Sequence, residues 1–304
     1  MTPLTEQFQA NLSDGDLLSA FLQNPQQGAF AVIVRRHGGM VLGVCRSVLR
    51  NESDAEDAAQ AVFLTLAQRA SSLGGHRMLV GWLHRVAWYV ASNAARAAAI
   101  RHRHEQEAAR MKPESGAITE MTEVDVIHAE LNRLSDKYRT PLLLHHLEGR
   151  TQEETASLLG CTVGAVSVRL TRGRQMLRER LVRRGVADSP VGVAAVLASQ
   201  ASAGVLPAFV TSANQTAVAV LAGKAATTAV SASVATLSKG ALKMLFWAKM
   251  KLVAGLTTAF LLLGGAGLGT YMAIADGGTA PPTPGQARPM AEATTMAASQ
   301  PKGW

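Results

Sequence analysis

Leu252 to Ala275 is a run of 24 residues without a charge, and no other feature narrows so sharply what this chain can fold into. At 1.5 Å per residue a helix of that length spans about 36 Å, against about 30 Å for the hydrocarbon core of a bilayer. One transmembrane helix, 252–275, is therefore expected. Lys239, Lys243, Lys249 and Lys251 precede it and Asp276 follows, so the positive-inside rule puts the N-terminal side in the cytoplasm, at the inner membrane. Gly265 and Gly269 add a GxxxG spacing that lets two such helices approach closely. A buried hairpin or docking helix is the competing use of the same residues.

The rest of the chain is divided by charge. Residues 1–188 carry 23 of the 30 Lys+Arg and 20 of the 22 Asp+Glu. Apolar residues reach 48% while aromatics are only 5%, so the apolar content is mainly Ala, Val and Leu. That composition favours helices over a β-sandwich. Ser13/Asp16, Ser53/Glu56 and Thr151/Glu154 read as helix-opening caps, and no strand alternation is sustained. An all-α fold is expected: two small helical domains over 13–112 and 127–185, joined by an acidic linker at 113–126. The extension 186–251 is rich in Ala, Val and Ser, and its stretch from Ser189 to Leu237 is expected to form loose helices or stay disordered; the tail 276–304, with Pro281, Pro282, Pro284 and Pro289, is expected to be disordered. Cys45 and Cys161 are isolated, so neither a disulfide framework nor a thiolate metal site is expected. The first residues lack the basic and apolar stretches of a secretion signal.

A net charge of +8 makes a polyanion the first partner to test, and the cations are clustered. Seven lie between Arg77 and Lys112, and seven arginines face a single Glu179 between Val163 and Arg184. Within Thr151–Arg174 the sequence reads as a helix-turn-helix. Thr151 caps a short helix with Ala156 and Leu159 inward, and Gly160 supplies a left-handed turn. Thr162 then caps a second helix whose Val163, Val166, Leu170, Leu177 and Leu181 form the apolar stripe. Ser167, Val168, Arg169, Thr171 and Arg172 are left outward, where a major groove would lie.

These residues resemble a known family. Leu134–Gly185, with its Leu-Ser-Asp-Lys-Tyr-Arg opening and its Arg169-Leu170-Thr171-Arg172-Gly173-Arg174 run, looks like region four of extracytoplasmic-function sigma factors. Ser53–Phe63 and Gly81–Ala87 resemble region two of the same family. The Ala-rich segment and membrane helix resemble the C-terminal extensions of sigma factors from planctomycete-like bacteria. The resemblance implies an alternative sigma factor with core RNA polymerase, through its β′ clamp and β flap, and promoter DNA as partners, and an anti-sigma factor as a further one. It assigns polymerase docking to Asp54, Glu56, Asp57, Gln60 and Phe63. It assigns the −10 element to Trp82, Arg85, Trp88, Tyr89, Asn93 and Arg96, and the −35 element to Arg150, Thr162, Ser167, Val168, Arg169, Thr171, Arg172 and Arg174. Tyr89 stands where many members carry Asn, which bears on the −10 preference.

Read from the residues alone, Asp54, Asp57 and Ala61 fall on one face of the helix that Ser53 caps, while Val62 and Leu66 turn inward. That leaves an acidic strip for a basic partner helix, or simply acids that complement the helix dipole. Trp82, Trp88 and Tyr89 interleave with Arg77, Arg85, Arg96, Arg101 and Arg103, a composition suited to unstacked bases and single-strand phosphates. Trp82 also has the spacing of a core residue. No HExxH, GxxxxGK[ST] or GxSxG motif is present, so neither an enzyme nor a metal or organic cofactor is implied. The alternative from another class is a membrane-bound one-component regulator that binds duplex DNA without joining polymerase.

Overall fold

The computed structural model describes residues 12–49, 51–73, 78–108, 122–186, 206–223 and 233–243, all within one compact unit, Met1–Ala248. Among these residues the regular structure is entirely helical. In chain order the helices are α1 (Asp14–Gln23), α2 (Ala29–Val48), α3 (Glu52–Leu73), α4 (Val80–Ala108), α5 (Glu123–Arg133), α6 (Asp136–Leu142), α7 (Gln152–Leu159), α8 (Val163–Arg183) and α9 (Pro207–Leu221). A π-helical turn, Leu143–Leu147, extends α6. Residues 233–243 are also helical. No described helix is long and apolar enough to cross a membrane. The expected span 252–275 lies outside the described residues, as do the tail and residues 113–121 of the expected linker.

Helices α1 to α4 pack into the N-terminal unit. Its large anchors are few, so they are concentrated. Phe21 and Phe30 meet with ring centroids 4.7 Å apart, Phe30 meets Phe63 edge-on at 6.4 Å, and Phe63 meets Phe209 of α9 at 6.1 Å. Alanines fill the closer approaches: Ala55, Ala58, Ala59 and Ala61 of α3 are all fully buried. Small side chains let neighbouring helices come close enough for dispersion contacts to compensate for the modest area each residue buries.

Three sequence expectations are corrected here. Ser53 is not the cap of α3. Asn51 takes that role, its Oδ1 accepting from the amides of Ser53 at 2.9 Å and Asp54 at 3.3 Å, because its short amide side chain satisfies two first-turn donors at once. Ala61 does not belong to an exposed strip, for it is wholly inside the core. Pro207–Leu221, in the stretch expected to form loose helices or stay disordered, is a helix, but one packed on α2 and α3 rather than loose. Proline at its first position has a preset φ and no amide to leave unsatisfied. Phe209, Val210, Ala213, Thr216 and Ala217 then recur at helical spacing and are buried.

The helix-turn-helix unit forms from local signals. Thr151 and Glu154 make a reciprocal capping box, with Thr151 Oγ1 accepting from the Glu154 amide at 3.1 Å and Glu154 Oε2 from the Thr151 amide at 3.0 Å. Gly160 ends α7 at φ 62°, a left-handed conformation that favours glycine. Thr162 caps α8. The expected stripe holds for Val166, Leu170, Leu177 and Leu181, which are buried, but Val163 is 40% exposed at the mouth of the turn. Gly173, further along, joins the buried face. A Cβ there would lie 3.0 Å from Leu142 Cδ1, so glycine lets α6 and α8 cross closely.

Two buried polar clusters join this unit to α1–α4. His37 of α2 sits between Asp14 of α1, whose Oδ2 is 3.0 Å from Nε2, and Glu148, whose Oε1 is 2.6 Å from Nδ1. Arg36 donates to the other oxygen of Asp14 at 2.6 Å and the Leu79 amide to Oδ2 at 2.8 Å. His84 of α4 shares a 3.0 Å hydrogen bond with His128 of α5 and another with Asn132 Oδ1. Ser47 of α2 closes that chain at 3.2 Å from His128 Nε2.

Candidate polymerase and nucleic-acid interfaces

Helix α3 carries the five residues expected to meet polymerase, and it presents them unequally. Asp54 is exposed in the first turn, Glu56 and Gln60 are half-buried, and Phe63 is fully buried. Asp57 accepts a short hydrogen bond from the hydroxyl of Ser233. The acidic strip is thus open at its N-terminal end and covered further along by the 207–221 and 233–243 helices.

The aromatic and basic residues expected to open DNA lie along α4. Arg85 and Arg96 are exposed, while Trp82, Trp88, Tyr89 and Asn93 are half-buried. Asn93 Oδ1 accepts from Arg96 Nη1 at 3.3 Å, which aligns the two one turn apart. The indole N–H of Trp88 is buried without a partner among the described residues. Trp82 and Arg85 line a cavity of about 390 Å³ together with Lys137, Arg139, Leu159 and Arg169. Arg139 is buried there by Gly81, whose missing Cβ would come within 3.3 Å of the guanidinium. Burial and then the nearby Arg85 lower the guanidinium pKa of Arg139. Residues expected for the −10 and −35 elements therefore share one groove.

The outer face of α8 carries the base-reading candidates. Ser167, Thr171, Arg172 and Arg174 are exposed, as is Val168 at 51%. The Thr171 hydroxyl donates to the Ser167 carbonyl at 3.0 Å, and Arg174 Nε donates to the Leu170 carbonyl at 3.3 Å. Thr162 is exposed, its hydroxyl accepting from the Ala165 amide at 3.2 Å. Arg169 differs from its neighbours. It is half-buried, with Nη1 3.6 Å from Cys161 Sγ. Arg150 is half-buried too: its amide donates to Leu144 O at 3.0 Å and its Nε has no partner among the described residues. His145 Nδ1 lies 2.8 Å from the Arg150 carbonyl and helps fix the entry to the turn.

Sequence reasoning missed Glu130. It is buried, receives Arg133 at 2.7 Å and Arg184 at 3.0 Å, and so ties α5 to the end of α8. Arg184, one of the seven arginines counted toward DNA, is therefore used in part for internal structure. Among the described residues no cluster of His, Cys, Asp or Glu could hold a metal ion.

Comparison with known proteins extends this geometry. The family profile described as Sigma-70 region 2 matches residues 33–100, and that of Sigma-70, region 4 matches residues 125–177. The chain is 31% identical over 162 residues to RNA polymerase sigma factor CarQ of Myxococcus xanthus, covering 51% of this chain and 90% of that protein. It is 28% identical over 169 residues to ECF RNA polymerase sigma factor SigW of Bacillus subtilis, covering 51% and 90%. Against the ECF RNA polymerase sigma-E factor of Haemophilus influenzae it is 29% identical over 179 residues, covering 53% and 94%. A chain whose described residues are helical and which two sigma-70 profiles match in order is a transcription initiation factor. The chain belongs to the extracytoplasmic-function sigma factor family. It acts as an alternative sigma factor, directing core RNA polymerase to promoter DNA. The match over region two sets aside the one-component regulator, which has no use for that region.

Proposed function

We propose a membrane-tethered alternative sigma factor in which each interface has a separate task. Asp54, Glu56, Asp57, Gln60 and Phe63 dock on the β′ clamp of polymerase. Trp82, Arg85, Trp88, Tyr89, Asn93 and Arg96 hold the opened −10 element. Ser167, Val168, Thr171 and Arg172 read −35 bases, while Arg150, Thr162, Arg169 and Arg174 fix the phosphate register. Residues 252–275 anchor the chain in the cytoplasmic membrane with the sigma regions inside, and bond making is left to polymerase. An anti-sigma factor is a further partner in this reading. The observation that carries it is the free outer face of α8, where exposed Arg172 and Arg174 flank a Thr171 already oriented by the helix.

Elements named for positions −35 and −10 lie about 25 base pairs apart, or about 85 Å of straight duplex at 3.4 Å per step. Trp82 and Arg169 line a single groove. Simultaneous engagement of both elements therefore requires the two regions to separate, which frees Trp82 for bases and Arg169 for phosphate. The test is to mix the detergent-solubilised full chain with bacterial core polymerase and score transcripts from a randomised-promoter library. Selective initiation with paired −35 and −10 motifs is expected; duplex binding without core-dependent initiation would refute the proposal.

A further inference from the structure

The expected polymerase surface on α3 already has an occupant. Helix α9 lays its buried stripe on α2 and α3, with Phe209 7% exposed and its ring edge-on to Phe63 at 6.1 Å. Phe63 is thereby enclosed between Phe30 and Phe209. In the next helical stretch, 233–243, Val234 and Ala241 are fully buried, and the hydroxyl of Ser233 donates to the carboxylate of Asp57. The extension thus meets both a polar and an apolar member of the docking set. Asp54, one turn before Asp57, stays exposed.

An apolar side chain and a carboxylate cannot serve two partners at once. We infer that the helices at 207–221 and 233–243 are an intramolecular competitor of core polymerase: they cover the docking face of α3 and must be displaced before the sigma regions can load. This rests on the reading of α3 as the docking helix. Two features fit a displaceable cover. The buried stripe of α9 sets Ala213, Thr216 and Ala217, which bury little area each, beside Val210, with Phe209 as its one aromatic anchor. In the second attachment one polar contact, Ser233 to Asp57, is an exposed hydrogen bond, of the kind water replaces at little cost, and the buried side chains, Val234 and Ala241, are again small. If the covered form dominates, the apparent affinity for core is reduced by the fraction of chain that is open.

The test measures binding of the full chain, labelled and in detergent, to purified bacterial core polymerase. Four proteins are compared: wild type, Phe209→Asp, Ser233→Ala and Asp54→Arg. Phe209→Asp is expected to bind about tenfold more tightly than wild type, Ser233→Ala a few-fold more tightly, and Asp54→Arg more weakly. Thermal melts by circular dichroism establish that each variant is folded, and if Phe209→Asp is not, Ser233→Ala decides. Equal or weaker binding by both extension variants, with Asp54→Arg still impaired, would overturn the competitor while leaving the docking reading in place. Unimpaired binding by Asp54→Arg would remove the docking reading, and the competitor with it.

Discussion

His37 and Glu148 are 111 residues apart in sequence, yet Nδ1 of one lies 2.6 Å from Oε1 of the other in an environment closed to solvent. Asp14 holds the opposite ring nitrogen, so a single imidazolium joins region two to region four. Removing it strands the Glu148 carboxylate in the interior, whereas Asp14 keeps Arg36 and the Leu79 amide; breaking a buried pair from one side costs about 3–5 kcal/mol. His37→Ala should destabilise the fold by about that amount in a urea titration. The loss should shrink in a Glu148→Gln background, because the stranded charge is then gone.

The same cluster sets a pH dependence. Burial disfavours a charge on His37, but Asp14 and Glu148 outweigh it and hold the pKa up to about 10. A raised folded pKa contributes stability that is fully present below the unfolded value near 6.5 and is lost as pH climbs through 10. His84 runs the other way. Burial, and then the neighbouring His128, push its pKa well below 6.5, so protonation of the unfolded chain draws stability down as pH falls below that value. His146, lowered to about 4 chiefly by burial, acts in the same direction. Denaturation midpoints between pH 5 and pH 9.5 should therefore peak near 6.5, and His37→Gln should flatten the alkaline limb while keeping the acid one.

Gly164 and Gly173 lie on the same helix and should respond in opposite ways. A Cβ at Gly164 meets nothing within 4 Å, whereas one at Gly173 lies 3.0 Å from Leu142 Cδ1 and 3.4 Å from Tyr138 Cβ. Gly→Ala in an unhindered helix gains about 0.5–1 kcal/mol. Overpacking costs about 1–3 kcal/mol, and Leu142 is fully buried with little room to yield. Gly164→Ala should melt above wild type and Gly173→Ala below it.

What the sequence made legible was what neighbouring residues decide. Thr151 with Glu154, Gly160, and the buried Val166, Leu170 and Leu177 each fix a cap, a turn or a face within a few positions, and the helix-turn-helix followed from them. The cap of α3 was displaced from Ser53 to Asn51 because both side chains can accept first-turn amides, and spacing alone does not rank them. The resemblance assigns Phe63 to the polymerase-docking set, and nothing near it in sequence shows that Phe209 covers it. The His37 cluster and the Glu130 ion pairs are likewise products of distant segments meeting. They leave no periodicity to read. An arginine count could not foresee that Arg184 is partly engaged by Glu130, nor that Arg169 turns toward Cys161.

Arg172 and Arg174 both leave α8 exposed, but with different partners. Arg174 is steadied by the Leu170 carbonyl at 3.3 Å along its own helix, which suits a phosphate contact; Arg172 is exposed beside Thr171 on the face assigned to bases. A bidentate base contact contributes about 1–3 kcal/mol of discrimination, whereas a phosphate contact contributes to every sequence alike and releases a counterion. In binding assays on selected −35 duplexes, Arg172→Ala should lose about 1–3 kcal/mol on the preferred site and far less on scrambled DNA, relaxing the preference at one or two positions. Arg174→Ala should weaken both duplexes equally and reduce the slope of log K against log salt by about one. Loss of discrimination by Arg174→Ala instead would exchange the two roles.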